Sequence, residues 1–140
     1  MTSGGTAPDL HTELLELARA TAEEAAVLVG AGRSTAADQV DTKSSPVDVV
    51  TAVDTASEAL IVRRLTEARP DDGVLGEEGA SREGTSGVRW VVDPIDGTVN
   101  FLYGLPAYAV SIAAEVDGQV QAGVVVNVAT GEFFTAMAGG

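Results

Sequence analysis

Cysteine is absent from this 140-residue chain, lysine occurs only as Lys43, histidine only as His11, and aromatic residues make up 4%. Without cysteine there is neither a disulfide framework nor a thiolate metal ligand, so any metal must be held by oxygen or by one imidazole. Basic side chains are scarce as well: 8 Lys and Arg stand against 21 Asp and Glu, a formal net charge of -13. Such a surface repels phosphate backbones and anionic lipid, which argues against a nucleic-acid polymer or a membrane as partner. A small anionic substrate meets the same repulsion unless cations first occupy the carboxylates around its site. Long apolar runs are also missing, and no window approaches the length of a membrane span. Met1-Thr2-Ser3-Gly4-Gly5 has neither the basic start nor the apolar run of a secretion signal, so a cytoplasmic location is expected.

What is present can form a core. At 45% hydrophobic, a chain of this size hides roughly two thirds of its unfolded surface, and one domain is expected. Residues 1–8 read as a tail. Asp9 then caps a helix in which Leu10, Leu14, Leu17, Ala18, Thr21, Ala25 and Leu28 recur at steps of three or four, with Glu13, Glu16, Arg19, Glu23 and Glu24 on the wetted side. That helix should fade at Gly30-Ala31-Gly32. Arg33 to Pro46 is polar and small, a loop with at most a short strand near Gln39 to Thr42. A second helix is expected from about Val53 to Arg69, stopped by Pro70, with Ala56, Leu60, Ile61, Leu65 and Ala68 as its apolar face. Asp54 would sit in its first turn, where unpaired N–H groups favour negative charge.

The remainder reads as sheet. Val74 to Gly76 and Val88 to Val92 are short strands separated by a glycine-rich loop from Gly79 to Gly87, the second ending at Asp93-Pro94 because proline cannot donate to a ladder. Tyr108 to Val116 and Gln119 to Asn127 are joined by Asp117-Gly118, a two-residue hairpin signal. Thr130-Gly131 turns the chain again before Glu132 to Ala136. Val110, Ile112, Ala114 and Val116 share one strand face. Ala109 and Ala113 make the opposite face small and apolar too, so both faces invite a cover.

The chemistry is concentrated in Trp90-Val91-Val92-Asp93-Pro94-Ile95-Asp96-Gly97-Thr98-Val99-Asn100-Phe101. Asp93 at a strand end and Asp96 in the following turn can converge, while the N–H groups of Gly97 and Thr98 can point outward at the start of a short helix, a geometry that suits cations beside a phosphate. Close carboxylates repel unless protonated or paired, and magnesium prefers hard oxygen ligands. Asp-Pro and Asp-Gly are also ordinary turn dipeptides, and the spacing is not that of a calcium-binding EF-hand loop. Glu77-Glu78, adjacent acids at a strand end, suit either solvated loop positions or a metal. Asp54 suits either a helix terminus or a ligand.

Taken in order, Lys43-Ser44-Ser45-Pro46 leading to Asp48 through Asp54, Gly76-Glu77-Glu78, Asp93 through Phe101 and Gly123-Val124-Val125 resemble the inositol monophosphatase family of magnesium-dependent, lithium-sensitive phosphatases. The resemblance runs from about residue 10 to 138. It implies an α+β fold, two helices packed on a mostly antiparallel sheet, as in the N-terminal domain of the sugar-phosphatase fold of that family. It further implies Mg2+ as cofactor, with Glu77, Asp93 and the Ile95 carbonyl as ligands of a first ion, Asp93 bridging to a second, and Asp96 on that second ion. Asp54 and Thr98 then orient and help deprotonate the attacking water, with Glu77 beside them. The Gly97 and Thr98 amides receive the phosphate, and Lys43 and Glu78 are auxiliary. His11 lies far from every motif and reads as a solvated helix residue.

The implied activity is hydrolysis of inositol 1-phosphate, or a related small phosphate ester, by direct attack of metal-activated water. Histidinol phosphate and 3'-phosphoadenosine 5'-phosphate are alternative substrates, and a non-catalytic metal- and phosphate-binding fragment is the alternative of another class. Family members continue into a C-terminal α/β domain that supplies a further metal-ligating aspartate. Residues 9–140 are therefore expected to be an incomplete N-terminal metal- and phosphate-binding domain, feeble or inactive alone and poorly soluble, from a full-length protein expected to be a homodimer acting on a small phosphorylated metabolite.

Overall fold

A computed structural model describes residues 10–38, 46–76, 81–96 and 109–137. The first helix, α1, spans Leu10–Asp38. Leu14, Ala18, Thr21, Ala22, Ala25 and Val29 form its buried stripe, while Glu13, Glu16, Arg19, Glu23 and Glu24 stay exposed, as the periodicity predicts. It does not fade at Gly30-Ala31-Gly32 but continues for two further turns. A glycine inside a helix costs only about 1 kcal/mol relative to alanine, too little to end a helix already packed on its neighbours.

The second helix, α2, spans Pro46–Ala68 and so begins seven residues before the expected Val53. Proline is well suited to a first helical position, because its missing N–H would lack an intrahelical partner there in any case. The early start moves Asp54 out of the first turn, so the helix-terminus explanation of its charge is withdrawn. Ile61 and Leu65 are buried as expected, together with Val53, Ser57 and Glu58, whereas Ala56 and Ala68 face solvent.

A six-stranded sheet packs beside this hairpin of helices. Its strands are β1 Gly73–Gly76, β2 Ser81–Arg82, β3 Val88–Asp96, β4 Ala109–Val116, β5 Gln119–Asn127 and β6 Phe133–Met137. Their order is β2-β1-β3-β4-β5-β6. Among the described residues β1 and β3 run parallel, and the other neighbouring strands pair antiparallel. The fold is thus the expected two helices on a mostly antiparallel sheet. β2 lies inside the segment read as a loop, and the anticipated short strand at Gln39 to Thr42 falls outside the described residues.

β3 also outruns expectation. It was to end at Val92, yet it pairs Asp93 with Ser111, slips register, and pairs again at Asp96 with Ala109. Pro94 falls within that slip, where no ladder N–H is demanded of it, and bulges of this kind bend a strand beside a site. The hairpin between β4 and β5 turns at Asp117 and Gly118 with φ of 51° and 85°, the positive values that a type I′ turn requires.

One face of the sheet carries the core. Val88, Trp90 and Val92 of β3, Val110, Ile112 and Ala114 of β4, and Ala122, Val124 and Val126 of β5 are buried with the stripes of both helices. Phe133 and Met137 of β6 complete that layer, and the Arg19 guanidinium lies 5.5 Å from the centre of the Phe133 ring. Among the described residues no helix packs on the other face, where Leu75, Val125 and Phe134 are exposed.

A buried carboxylate joins the layers. Asp72, 2% exposed at the entry to β1, accepts hydrogen bonds from Arg69 Nε, from Trp90 Nε1 at 2.9 Å and from Ser86 Oγ at 2.6 Å. Arg69 reaches on to Glu13 of α1 at 2.9 Å. Asp72 and Arg69 together therefore tie α1, the end of α2, the approach to β3 and β3 itself.

Candidate functional site

Asp93 lies in the carboxyl-terminal half of β3, at the last paired position before the register slip. Alternation along the strand sends Val88, Trp90 and Val92 into the helix-covered core, so Arg89, Val91 and Asp93 share the other face. Asp93 is half-buried, and its Oδ1 has almost no contact with solvent. Asp54 is half-buried on α2, the helix that packs against β3, and its Oδ1 is withdrawn from solvent as well. The two carboxylates thus come from different layers, one rigidly placed by a helix and one by a strand end.

The sequence reading did not single out two neighbours of Asp54. Glu58, one turn further along α2, is 3% exposed, and Ser57 is fully buried with its Oγ lacking a hydrogen-bond partner among the described residues. The i, i+4 spacing of Asp54 and Glu58, which sets two acids on one helix face, was the available signal. It was obscured by the expectation that Ala56, Leu60, Ile61, Leu65 and Ala68 form the buried face of this helix.

Of the remaining predicted site residues, Ile95 and Asp96 are placed by their backbones at the end of β3, beyond the register slip. Lys43, Glu77, Glu78, Gly97 and Thr98 lie outside the described residues. Among the described residues no three His, Cys, Asp or Glu side chains form a group that could hold a metal ion. What Asp54 and Asp93 do offer is carboxylate oxygen partly shielded from water, a donor chemistry that fits a hard divalent cation such as magnesium and suits a soft one poorly. His11 is half-buried at the start of α1.

Two helices on one face of a mostly antiparallel sheet, with carboxylates at the end of a bulged central strand, define an α+β architecture of the sugar-phosphatase type. Residues 10–140 match the sequence model of the inositol monophosphatase family, and the chain belongs to that family. An inositol-1-monophosphatase of Mycobacterium leprae is 44% identical over 149 aligned positions, covering 96% of this chain and 51% of its own. The crystal structure of the extragenic suppressor protein suhB of Bartonella henselae superposes with a TM-score of 0.79 at 34% identity, over 91% of this chain and 49% of that one. Mycobacterium tuberculosis SuhB gives a TM-score of 0.78 at 43% identity, over 94% of this chain and 47% of its own. The chain spans about half the length of the curated relatives it matches.

Proposed function

We propose that this chain forms most of the magnesium- and phosphate-binding half of a phosphomonoesterase acting on inositol 1-phosphate or a closely related small phosphate ester. The observation that carries the reading is Asp93: a carboxylate with one oxygen withdrawn from water, placed at the end of β3 within the Asp93-to-Phe101 motif of this family. Relatives named inositol-1-monophosphatase support the substrate class.

In this reading Glu77, Asp93, Asp96 and the Ile95 carbonyl hold Mg2+, with Lys43 and Glu78 as auxiliary groups. When bound, magnesium supplies positive charge to the phosphoryl oxygens and the leaving alkoxide and makes water a better nucleophile. The chain's own part is placement. Asp54 and Thr98 orient the water in line with phosphorus, the Thr98 hydroxyl taking its proton while passing its own to the Asp54 carboxylate, which stands on a rigid helix that costs little reorganisation when the reaction occurs. The amides of Gly97 and Thr98 fix the phosphoryl group. With a net charge of -13, an anionic substrate gains entry only after cations have neutralised this corner of the surface, so metal binding precedes substrate binding. The unit is cytoplasmic in this reading, residues 9–140 form one metal- and phosphate-binding domain, and the full-length protein is a homodimer.

Thermal unfolding of the chain with increasing MgCl2 tests the proposal. A ligand that binds only the folded state raises stability by RT ln(1 + [L]/Kd), about 2.7 kcal/mol at one hundred times Kd. Stabilisation that saturates with magnesium and disappears in Asp93→Asn is expected; an identical response in the variant would overturn the assignment. Turnover of inositol 1-phosphate by these 140 residues alone is expected to stay below about 1 per second, a modest enzyme rate. A panel including histidinol phosphate and 3'-phosphoadenosine 5'-phosphate, applied to a full-length version, identifies the ester.

A further inference from the structure

Glu58 is 3% exposed on α2, and the proposed reaction gives it no part. Its place follows from the helix and the ladder. Arg64 reaches Glu24 of α1 and so marks the side of α2 turned toward that helix. Glu58 lies roughly 120° around the helix from Arg64, which turns its buried carboxylate to the sheet, where α2 packs on β3. α2 runs back along β3: the Asp72 N–H donates to the Arg69 carbonyl, so the helix end is level with Gly73 and its Cα partner Arg89. Glu58 stands roughly 16 Å back from Arg69, and β3 covers that span in about five residues, at Pro94. A helical side chain leans toward the helix N-terminus, which carries the carboxylate on to Ile95.

The register slip of β3 falls at the same level. The Asp117 N–H bonds to the Gly87 carbonyl, and hydrogen-bonded pairs recur at every second residue of an antiparallel ladder. Arg89, Val91 and Asp93 therefore exchange backbone hydrogen bonds with Glu115, Ala113 and Ser111, and Asp96 stands in the same sense opposite Ala109. Pro94 and Ile95 share the gap opposite Val110, and among the described residues β1 pairs no further than Gly76 with Val92. Pro94 has no N–H. The Ile95 N–H is thus the donor that the described ladders leave over, level with a buried carboxylate that needs donors.

We propose that Glu58 is a positioning residue: its carboxylate accepts the Ile95 N–H, locks the slip and so aims the Ile95 carbonyl at the magnesium site. The Asp96 N–H faces Ala109 across the ladder, and a planar trans peptide sets the Ile95 carbonyl antiparallel to it, away from β4. With the Ile95 N–H held as well, both peptide planes flanking Ile95 are fixed and the carbonyl keeps one direction. An ionised acceptor makes the stronger hydrogen bond, which suits a point where the ladder itself is broken. Asp54 stands one turn further along the same helix face, so one rigid element carries both the proton acceptor and the clamp. The effect on magnesium rests on the reading of Ile95 as a ligand; the hydrogen bond does not.

Amide hydrogen exchange resolved by residue, in the full-length protein without metal, reads the bond directly. Glu58→Leu nearly keeps the volume and removes the acceptor, whereas Glu58→Gln keeps an acceptor oxygen and removes the charge. The Ile95 amide is expected to exchange at least about tenfold faster in Glu58→Leu and within about threefold of the unaltered protein in Glu58→Gln, with the Trp90 and Ile112 amides unchanged in both. Glu67→Leu, the same substitution at a 60% exposed side chain of α2, is expected to leave all three as they were. Calorimetric titration with MgCl2 then reads the positioning: affinity should fall at least about tenfold in Glu58→Leu and less than about threefold in Glu58→Gln. An Ile95 amide that exchanges equally fast before and after Glu58→Leu overturns the proposal. So does a Glu58→Gln as impaired as Glu58→Leu, because charge rather than an acceptor is then what Glu58 supplies. A rise shared equally by Trp90 and Ile112 makes Glu58 a packing residue and overturns it as well, as does a faster Ile95 amide with magnesium affinity unchanged. If the unaltered protein binds no magnesium, the ligand reading fails, while the exchange rates still decide whether Glu58 holds the strand.

Discussion

A single residue, Asp72, shows how much of this fold depends on one buried charge. Its carboxylate holds Arg69, Trp90 and Ser86 at once, and removing it strands the buried indole N–H and leaves the part-buried Arg69 guanidinium with Glu13 as its remaining carboxylate. Asp72→Ala is therefore expected to cost about 3–5 kcal/mol, the range for breaking a buried pair from one side, measured as a shift in the urea midpoint. Trp90→Phe removes one donor and leaves the carboxylate satisfied by the others, so about 1 kcal/mol is expected for the lost bond. Burial works against the charge of Arg69, but the hydrogen bond and charge of Asp72, helped by Glu13, hold its guanidinium above the ordinary arginine value. A raised folded-state pKa contributes stability that is complete below the ordinary arginine value, and is lost only as pH climbs through the higher one. The penalty of Arg69→Met should thus be the same at pH 7 and pH 10. By contrast, the Arg64–Glu24 pair is exposed on both sides, and Arg64→Ala should leave the urea midpoint nearly unmoved.

At the scale of elements, the helices and the turns respond to different physics. α1 buries alanines where it packs on α2 and the sheet, and Ala22 is fully buried; Ala22→Leu is expected to cost about 1–3 kcal/mol through overpacking. The approach to β3 is equally tight, because a Cβ at Gly84 would overlap the backbone of Asp71, Asp72 and Gly73. Gly84→Ala should therefore destabilise by at least as much, whereas at Gly118, with open space around it and φ of 85°, the cost is backbone strain alone, about 1 kcal/mol. Most of these elements could be read from the chain. The stripe Leu14, Ala18, Thr21, Ala25 and the signal Asp117-Gly118 act within a few residues, so their periods and turn chemistry were visible. The extension of α1 through Gly30, the start of α2 at Pro46 and the passage of β3 through Pro94 were not, because packing partners distant in sequence outweigh local penalties of about a kcal/mol.

For the whole molecule, charge and layering dominate. A net charge of -13 makes the folded state self-repelling, so thermal stability should rise between ~20 and ~200 mM NaCl and then level off as the screening length falls below the spacing of surface charges. The order of residues along the chain determined the family, the pair of helices, the alternation that divides each strand between two faces, and the absence of any thiolate. These properties are set by covalent order and by interactions over a few residues. Tertiary structure alone decided which sheet face the helices would cover, that Asp93 stands on the other one, that Asp54 sits on the helix packed against β3, and that Asp72 is buried. Each of those outcomes depends on contacts between segments tens of residues apart, and no periodicity within either segment records which partner it will meet.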